Sequence, residues 1–350
     1  MLNPSGSGHR SARLSPTRTP CPEKTQRRPI LGKQPAVRHV YGPVPSRRLG
    51  FSLGVDILPF KTCSLDCVYC QLGPTPRKTG LRRRFFDQEE ILSQIRAAVA
   101  RDRGIDFITF SGSGEPTLNS CLGTLIRRIK DMTSIPVAVL TNSTFLARPP
   151  VRRALLAADV VVPSLDAATA ASFQKVNRPL PSFKVGEVIA GLEKFRREFK
   201  GQLWLEVMLV RGINDSPGDI AALKRAISRI RPDRVQLNTV VRPPAEKWAR
   251  PLSREALEKI RTALGKGTEV VAEFRKKPQS RAEADIKSAI LSMVERRPVT
   301  LKDMAVSLGR SERRLLGHLA DLERWGRVFR FQHKGVLYYQ PARRGGSKKK

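Results

Sequence analysis

Cysteine is scarce in this chain, with five residues among 350, and the count is odd. The first residues, MLNPSGSGHRSARLS, also lack the apolar segment of a secretory signal. These two absences argue against a disulfide framework and favour free thiols or metal ligands. No stretch approaches the roughly 20 uninterrupted apolar residues that a transmembrane helix requires. We therefore expect a cytoplasmic protein that makes no contact with a membrane.

Acidic residues are few, because 31 Asp and Glu oppose 65 Lys and Arg for a formal net charge of +34. An excess of this size favours polyanionic partners such as RNA or DNA, which bind through phosphate contacts and counterion release. The alternative is a solvated basic surface without such a partner.

The two ends of the chain lack apolar periodicity. Residues 1–38 are rich in Pro, Ser, Arg and Gly, and residues 342–350 include RRGGSKKK. Both compositions are typical of disordered basic tails. Between them we expect a large core domain at residues 39–278 and a small domain at residues 279–341.

The core domain alternates between two kinds of segment. Apolar runs suited to buried strands lie at residues 55–60, 107–111, 137–141, 160–166, 203–210, 235–240 and 270–274. Segments with helical period lie at residues 87–100, 122–132, 151–157, 184–199, 220–230 and 254–264. This alternation predicts an α/β fold with a parallel sheet and crossover helices, either barrel-like or doubly wound.

The small domain has a different pattern. Three short helices are predicted at residues 284–295, 301–307 and 312–325, followed by the hairpin sequence RVFRFQHKGVLYYQ. Three helices and a hairpin are the layout of a winged helix-turn-helix domain, whose third helix commonly enters the major groove. That helix carries Arg313, Arg314, His318 and Arg324. The alternative is a small domain for dimerisation or protein docking.

Three of the five cysteines fall in KTCSLDCVYCQ, where Cys63, Cys67 and Cys70 have C-x3-C-x2-C spacing. A structural zinc would need a fourth ligand, and none occurs at matching spacing. A thioredoxin-type redox pair needs only C-x-x-C, which would leave Cys63 unused. An iron–sulfur cluster held by three thiolates would leave one iron without a protein ligand, and chemistry can occur at that iron.

This motif, with Tyr69 before the last cysteine, resembles that of the radical S-adenosylmethionine (SAM) enzymes. The resemblance implies a partial (β/α)6 barrel in which the three cysteines hold one [4Fe-4S] cluster and SAM chelates the open iron. It further implies reductive cleavage of SAM to a 5'-deoxyadenosyl radical, which abstracts hydrogen from a substrate. Tyr69 would pack near the adenine, and a reductant such as flavodoxin or ferredoxin would supply the electron.

Three further segments are similar to SAM-binding segments of that family. FSGSGEPTL resembles the G-G-E-P motif for the SAM amino group and places Gly112, Ser113, Gly114, Glu115 and Pro116 there. LTNST and PSLDA place Asn142, Ser164 and Asp166 at the same sheet edge, near the methionyl and ribose parts. For Glu115, a position at a helix N-terminus is the alternative.

The stretch GPVPSRR, residues 42–48, resembles radical SAM proteins grouped with the wyosine-forming tRNA-modifying enzymes. Those enzymes carry an upstream cysteine set, whereas this chain has only Cys21 there, so we do not transfer the wyosine reaction. Two functions remain. The first is a radical SAM enzyme acting on RNA, tRNA or another macromolecule, recruited through the basic tails and winged helix. The second is an iron–sulfur redox or iron sensor that reads nucleic acid.

Overall fold

The computed structural model describes residues 37–46, 48–101, 104–271, 286–295 and 297–342. Val37–Lys350 forms one compact unit. Nearly all of the two predicted tails, together with Cys21, lies outside the described residues. Across the described ranges, no helix combines the length and the apolar character needed to cross a bilayer.

The larger part of this unit is one eight-stranded sheet in which the strands follow one another in chain order. Its strands are β1 Val40–Ser46, β2 Gly50–Val55, β3 Phe107–Phe110, β4 Val137–Thr141, β5 Val160–Pro163, β6 Gln202–Leu209, β7 Arg234–Thr239 and β8 Thr268–Val270. β1 pairs antiparallel with β2, and every later pairing is parallel.

Helices connect the parallel strands. They are α1 Gln88–Arg101, α2 Leu122–Met132, α3 Pro149–Leu155, α4 Ala170–Asn177, α5 Val185–Glu198, α6 Pro217–Ile230 and α7 Arg254–Leu264, with a short 3-10 helix at Pro116–Leu118. Six β/α units therefore run from β2 to α7, as predicted. The sequential strand order matches a partial barrel, whereas a doubly wound sheet would reverse its order at a switch point.

The sheet buries both of its faces. On the outer face, alternate residues such as Val137 and Val139 join the main core against the helices. α2 contributes to that core with Leu122, Leu125, Ile126 and Ile129, which share one side of the helix. On the inner face, a separate apolar cluster joins Leu49, Ala138, Val160, Val162 and Trp204.

Most predicted boundaries agree with the structure, but the strand predicted at residues 55–60 is wrong. β2 occupies Gly50–Val55, and the following residues form the loop that leads to the cysteines. Ile57 and Leu58 are buried in that loop, at 1% and 4% exposure, so an apolar run here reflects a buried loop. Ser52, Gly50 and Gly54 interrupt the apolar pattern of β2, so the sequence does not predict this strand. β1 and α4 were not predicted.

The C-terminal region contains α8 Ile286–Val294, β9 Val299–Thr300, α9 Leu301–Leu308, α10 Glu312–Arg324, β10 Val328–His333 and β11 Val336–Pro341. The three helices and the hairpin are the predicted elements, and β9 adds a third strand next to β11. Val44 of β1 packs against the apolar core of this region, and Ser307 donates to the carbonyl of Pro43 across 2.9 Å. This region therefore contacts the edge strand of the large sheet. Its identification as a winged helix, and the domain limits, stay predictions.

Candidate functional site

The three clustered cysteines lie on the loop after β2, at the carboxyl edge of the parallel strands. Cys63, Cys67 and Cys70 are all free thiols that keep part of their surface exposed. Backbone hydrogen bonds fix the loop to the end of α4, since the amide of Val68 donates to the carbonyl of Val176 and that of Asp66 to the carbonyl of Asn177. The loop is held by the fold on one side and is open on the other.

Each of the three sulfurs accepts a hydrogen bond from a different element. Nζ of Lys61 lies 3.2 Å from Sγ of Cys70. The amide Nδ2 of Asn142, after β4, lies 3.5 Å from Sγ of Cys63. The amide Nδ2 of Asn177, at the end of α4, lies 3.4 Å from Sγ of Cys67. Donors of this kind stabilise negative charge on sulfur.

Burial is the main influence on the pKa values of Cys63 and Cys67. It raises the pKa of Cys63 to about 12, and the charges of Glu115 and Cys70 raise it further. Burial also raises the pKa of Cys67 well above its usual range, with added contributions from Asp166 and Cys63. Three thiolates would thus need a positive charge beside them. Among the described residues, no three Cys, His, Asp or Glu side chains are arranged to hold a single metal ion.

The glycines of SGSGEP are required by contacts within the protein. A Cβ on Gly114 would lie 1.8 Å from the carbonyl oxygen of Thr62, directly before the first clustered cysteine. Gly112 has a φ of +134°, and a Cβ there would lie 2.8 Å from Cγ of Asp56. Asp56 Oδ2 accepts hydrogen bonds from the amide and the hydroxyl of Ser113. These close approaches attach the end of β3 to the cysteine loop.

Glu115 is buried, and its carboxylate accepts hydrogen bonds from three residues of the chain. Oε1 accepts from Thr117 and from the hydroxyl of Thr141, and Oε2 accepts from the amide of Asn142 across 2.6 Å. Glu115 also caps the 3-10 helix that begins at Pro116, so it does occupy a helix N-terminus. Burial raises the pKa of Glu115, although its donors oppose that shift. The residue joins the ends of β3 and β4.

Asp166 connects Tyr69 with Asn177. Its Oδ2 accepts a 2.5 Å hydrogen bond from the Tyr69 hydroxyl and a 2.6 Å bond from the Asn177 amide, which also donates to Cys67. Its Oδ1 accepts from the backbone amide of Met208 across 3.0 Å. Burial raises the pKa of Asp166 to about 6, and the three donors partly offset that effect. One hydrogen-bond network therefore links Tyr69 to Cys67.

A small pocket opens beside this network. Three of the predicted site residues, Asn142, Ser164 and Asp166, line it together with Asn177. Apolar side chains complete the lining: Leu65, Leu165, Ala167, Phe173 and Val188. The structure thus brings the polar residues after β4 and β5 to one place next to the cysteines.

Polar side chains of β6 and β7 meet on the inner face. Asn238 donates to Oε1 of Glu206 across 3.2 Å. Glu206 also forms an ion pair with Arg48, and both side chains are largely buried. Arg48 belongs to the GPVPSRR stretch, so that stretch contributes a cation to the inner face of the barrel.

Two residues of the site were not predicted. Lys61 has a φ of 58°, a conformation that non-glycine residues rarely adopt and that occurs preferentially at functional sites. The only sequence signal for it was its position two residues before Cys63. Asn177 lies at the end of α4, a helix that was itself missed, and it comes close to Cys67 only through tertiary contact.

Comparison with known proteins agrees with this geometry. The family model of the Radical SAM superfamily matches residues 57–223, the range that holds the cysteine loop and the residues lining the pocket. A UPF0026 protein of Methanocaldococcus jannaschii is 36% identical over 222 residues, which cover 63% of this chain and 69% of that protein. The chain belongs to the UPF0026 group of the radical SAM enzyme superfamily.

Two other comparisons extend this result. A protein of Brachyspira hyodysenteriae named GTPase Obg is 37% identical to this radical SAM chain over 305 residues. The match covers 86% of the chain but only 45% of that protein. A radical SAM methyltransferase from Sphaerobacter thermophilus has a similar fold, with a TM-score of 0.50 and 22% identity. The superposition covers 63% of this chain and 65% of the methyltransferase, and it confirms the α/β fold.

Proposed function

We propose that this chain is a radical SAM enzyme in which Cys63, Cys67 and Cys70 hold a [4Fe-4S] cluster. The observation that carries the proposal is the set of three N–H donors, one on each sulfur, beside a pocket at the carboxyl edge of the sheet. Such a cluster supplies the electron that cleaves SAM reductively to a 5'-deoxyadenosyl radical.

The residues present fit such a cluster. Three partly exposed thiols on one loop suit a cluster with one iron that lacks a protein ligand. The raised pKa values of Cys63 and Cys67 mean that the bare loop disfavours thiolates, which bound iron would stabilise.

The polar residues that follow β4 and β5 would contact SAM beside the cysteine loop. Asn142 and Ser164 offer polar atoms beside the cysteine loop, and Asp166, whose oxygens accept from Tyr69, Asn177 and Met208, would position Tyr69 there. Glu115 acts as a positioning residue, because its carboxylate is occupied by Thr117, Thr141 and the amide of Asn142. Gly112, Ser113, Gly114 and Pro116 hold the adjoining loop in place.

The partners follow from charge and chemistry. A one-electron donor such as flavodoxin or ferredoxin would reduce the cluster in the cytoplasm. A macromolecular substrate such as RNA suits the net charge of +34, with the C-terminal region as a recruiting arm. The alternative, an iron–sulfur sensor that reads nucleic acid, needs a cluster but has no use for polar residues gathered in an adjacent pocket.

Reduction of the reconstituted protein with dithionite in the presence of SAM tests this proposal. We expect 5'-deoxyadenosine and methionine to form. Cys121→Ala serves as the matched control, because Cys121 is buried at the start of α2, outside the cysteine loop, and this variant should retain the activity. A protein with an intact cluster that forms no 5'-deoxyadenosine, yet binds DNA in a salt-sensitive manner, would instead support the sensor.

A further inference from the structure

The loop between β7 and α7, residues 240–253, contacts the cysteine loop directly. The amide of Glu246 donates to the carbonyl of Val68 across 2.9 Å. Nη1 of Arg242 donates to Oε1 of Gln71, the residue after Cys70, across 3.2 Å. A ligand bound along this loop would therefore reach the proposed active site.

The same loop also meets the C-terminal hairpin formed by β10 and β11. The hydroxyl of Tyr338 donates to the carbonyl of Val241 across 3.1 Å. Lys334 lies in the turn of that hairpin, where burial and then the charges of Arg250 and Arg211 lower its pKa. The amide of Arg211, just after β6, donates to the carbonyl of Arg250 across 3.0 Å. The hairpin turn, the end of β6 and the 240–253 loop thus bring Lys334, Arg211 and Arg250 together.

Among the residues that the structure describes, these three cations have no acidic partner. Arg211, Arg250 and Lys334 are exposed, and within the described part of the chain no carboxylate lies at ion-pair distance from any of them. Neighbouring Arg178, in contrast, is paired with Glu246 across 2.6 Å. Grouped cations without counter-charges repel one another, and a phosphate placed between them would relieve that repulsion.

An exposed aromatic side chain accompanies the cations. Trp248 lies two residues from both Glu246 and Arg250, and 45% of its surface is exposed. Exposed Trp side chains beside a basic groove provide stacking surfaces for unpaired bases. A double helix keeps its bases stacked inside, so only a single strand or an extruded nucleotide can use such a surface.

We infer that the C-terminal hairpin and the 240–253 loop bind single-stranded nucleic acid, with backbone phosphates on Arg211, Arg250 and Lys334 and a base stacked on Trp248. This surface would present a nucleotide to the cysteine loop through Val68 and Gln71. The inference rests on the proposed function and specifies its substrate class. The phosphodiester backbone and the stacking base are common to RNA and DNA, which the experiment distinguishes.

Fluorescence anisotropy with the reconstituted full-length chain tests this inference. The probes are a short labelled single-stranded RNA, the DNA of the same sequence, and the corresponding duplexes, each titrated over a range of salt concentrations. Lys334→Glu and Arg250→Glu should weaken single-strand binding and reduce the salt slope by roughly 0.7 for each phosphate that is no longer neutralised. Trp248→Ala should weaken it by about fivefold or more, the loss that removing one stacked base brings.

Lys266→Glu is the matched control. Lys266 is exposed in the turn before β8, at the amino end of the parallel strands, whereas the 240–253 loop lies at their carboxyl end. Tighter binding of single-stranded RNA than DNA would assign the substrate to RNA, and the reverse would assign it to DNA. Equal losses with Lys266→Glu, tighter binding of duplexes, or no effect of Trp248→Ala would overturn the inference. Formation of 5'-deoxyadenosine by a protein that binds no single strand would overturn it while the proposed function stands.

Discussion

The side-chain amide of Asn177 donates a hydrogen bond to Sγ of Cys67 across 3.4 Å. The same nitrogen lies 2.6 Å from Oδ2 of Asp166, so the position of α4 is linked to the cysteine loop through one polar side chain. An N–H donor on a cluster thiolate stabilises the more negative, reduced state of a cluster.

Asn177→Leu should therefore make the midpoint potential of the reconstituted cluster more negative, by on the order of tens of millivolts. A redox titration monitored by electron paramagnetic resonance measures this shift. Gln174→Leu also replaces a side-chain amide with Leu, but on the exposed side of α4, and should leave the potential unchanged. Equal potentials for Asn177→Leu and the wild type would show that this amide has no influence on the cluster.

Cys67→Ala should give a folded, colourless protein that cannot cleave SAM, because two thiolates cannot hold the cluster. Cys121→Ala should keep the wild-type absorbance, since this buried residue lies at the start of α2 and outside the cysteine loop. Absorption spectra after reconstitution, with circular dichroism as the test of folding, compare the two. A full cluster spectrum from Cys67→Ala would contradict the ligand assignment.

The sequence predicts much of this arrangement, because the elements that carry the site have simple patterns. β4, α2 and α7 begin and end where the apolar runs and helical period place them, and the residues after β4 and β5 do reach one pocket. The strand at residues 55–60 failed because loops that carry a buried site are apolar too. Lys61 and Asn177 could not be predicted, since their contacts with sulfur exist only after the chain has folded.

Gly114→Ala should displace the cysteine loop, since the new Cβ would meet the carbonyl oxygen of Thr62 at 1.8 Å and backbone cannot move aside cheaply. We expect a loss of stability of about 2 kcal/mol or more, with reduced iron uptake. Gly186→Ala is the control, because a Cβ there meets no atom within 4 Å and the residue lies in α5. Chemical unfolding and iron analysis measure both effects, and full iron content in Gly114→Ala would refute this role.

Glu115→Gln should lower the free energy of unfolding by about 2 to 3 kcal/mol. The new amide NH2 group would face N–H and O–H donors from which the carboxylate now accepts hydrogen bonds. SAM affinity should fall by about tenfold as Asn142 shifts, with the cluster retained. The control is Glu187→Gln, at an exposed position in the first turn of α5. Unchanged SAM affinity would remove Glu115 from the site.

Asp166 should make the stability of the iron-free protein depend on pH. Its folded pKa of about 6 lies above the usual value of 3.8, so the folded state retains the proton longer than the unfolded state. The contribution of Asp166 to the free energy of unfolding is therefore greatest at low pH and decreases as pH rises toward 6. Relative to Asp166→Asn, the wild type should lose about 2 to 3 kcal/mol between about pH 4 and about pH 7. Urea unfolding measures the difference, and a difference independent of pH would contradict the assigned shift.

The response of the cluster spectrum to SAM tests the central claim most directly. Anaerobically reconstituted protein should contain about four iron and four sulfide per chain, and SAM should change the paramagnetic resonance spectrum of the reduced cluster by binding its open iron. Tetrahedral zinc at this loop, with no uptake of iron on reconstitution, would contradict the account.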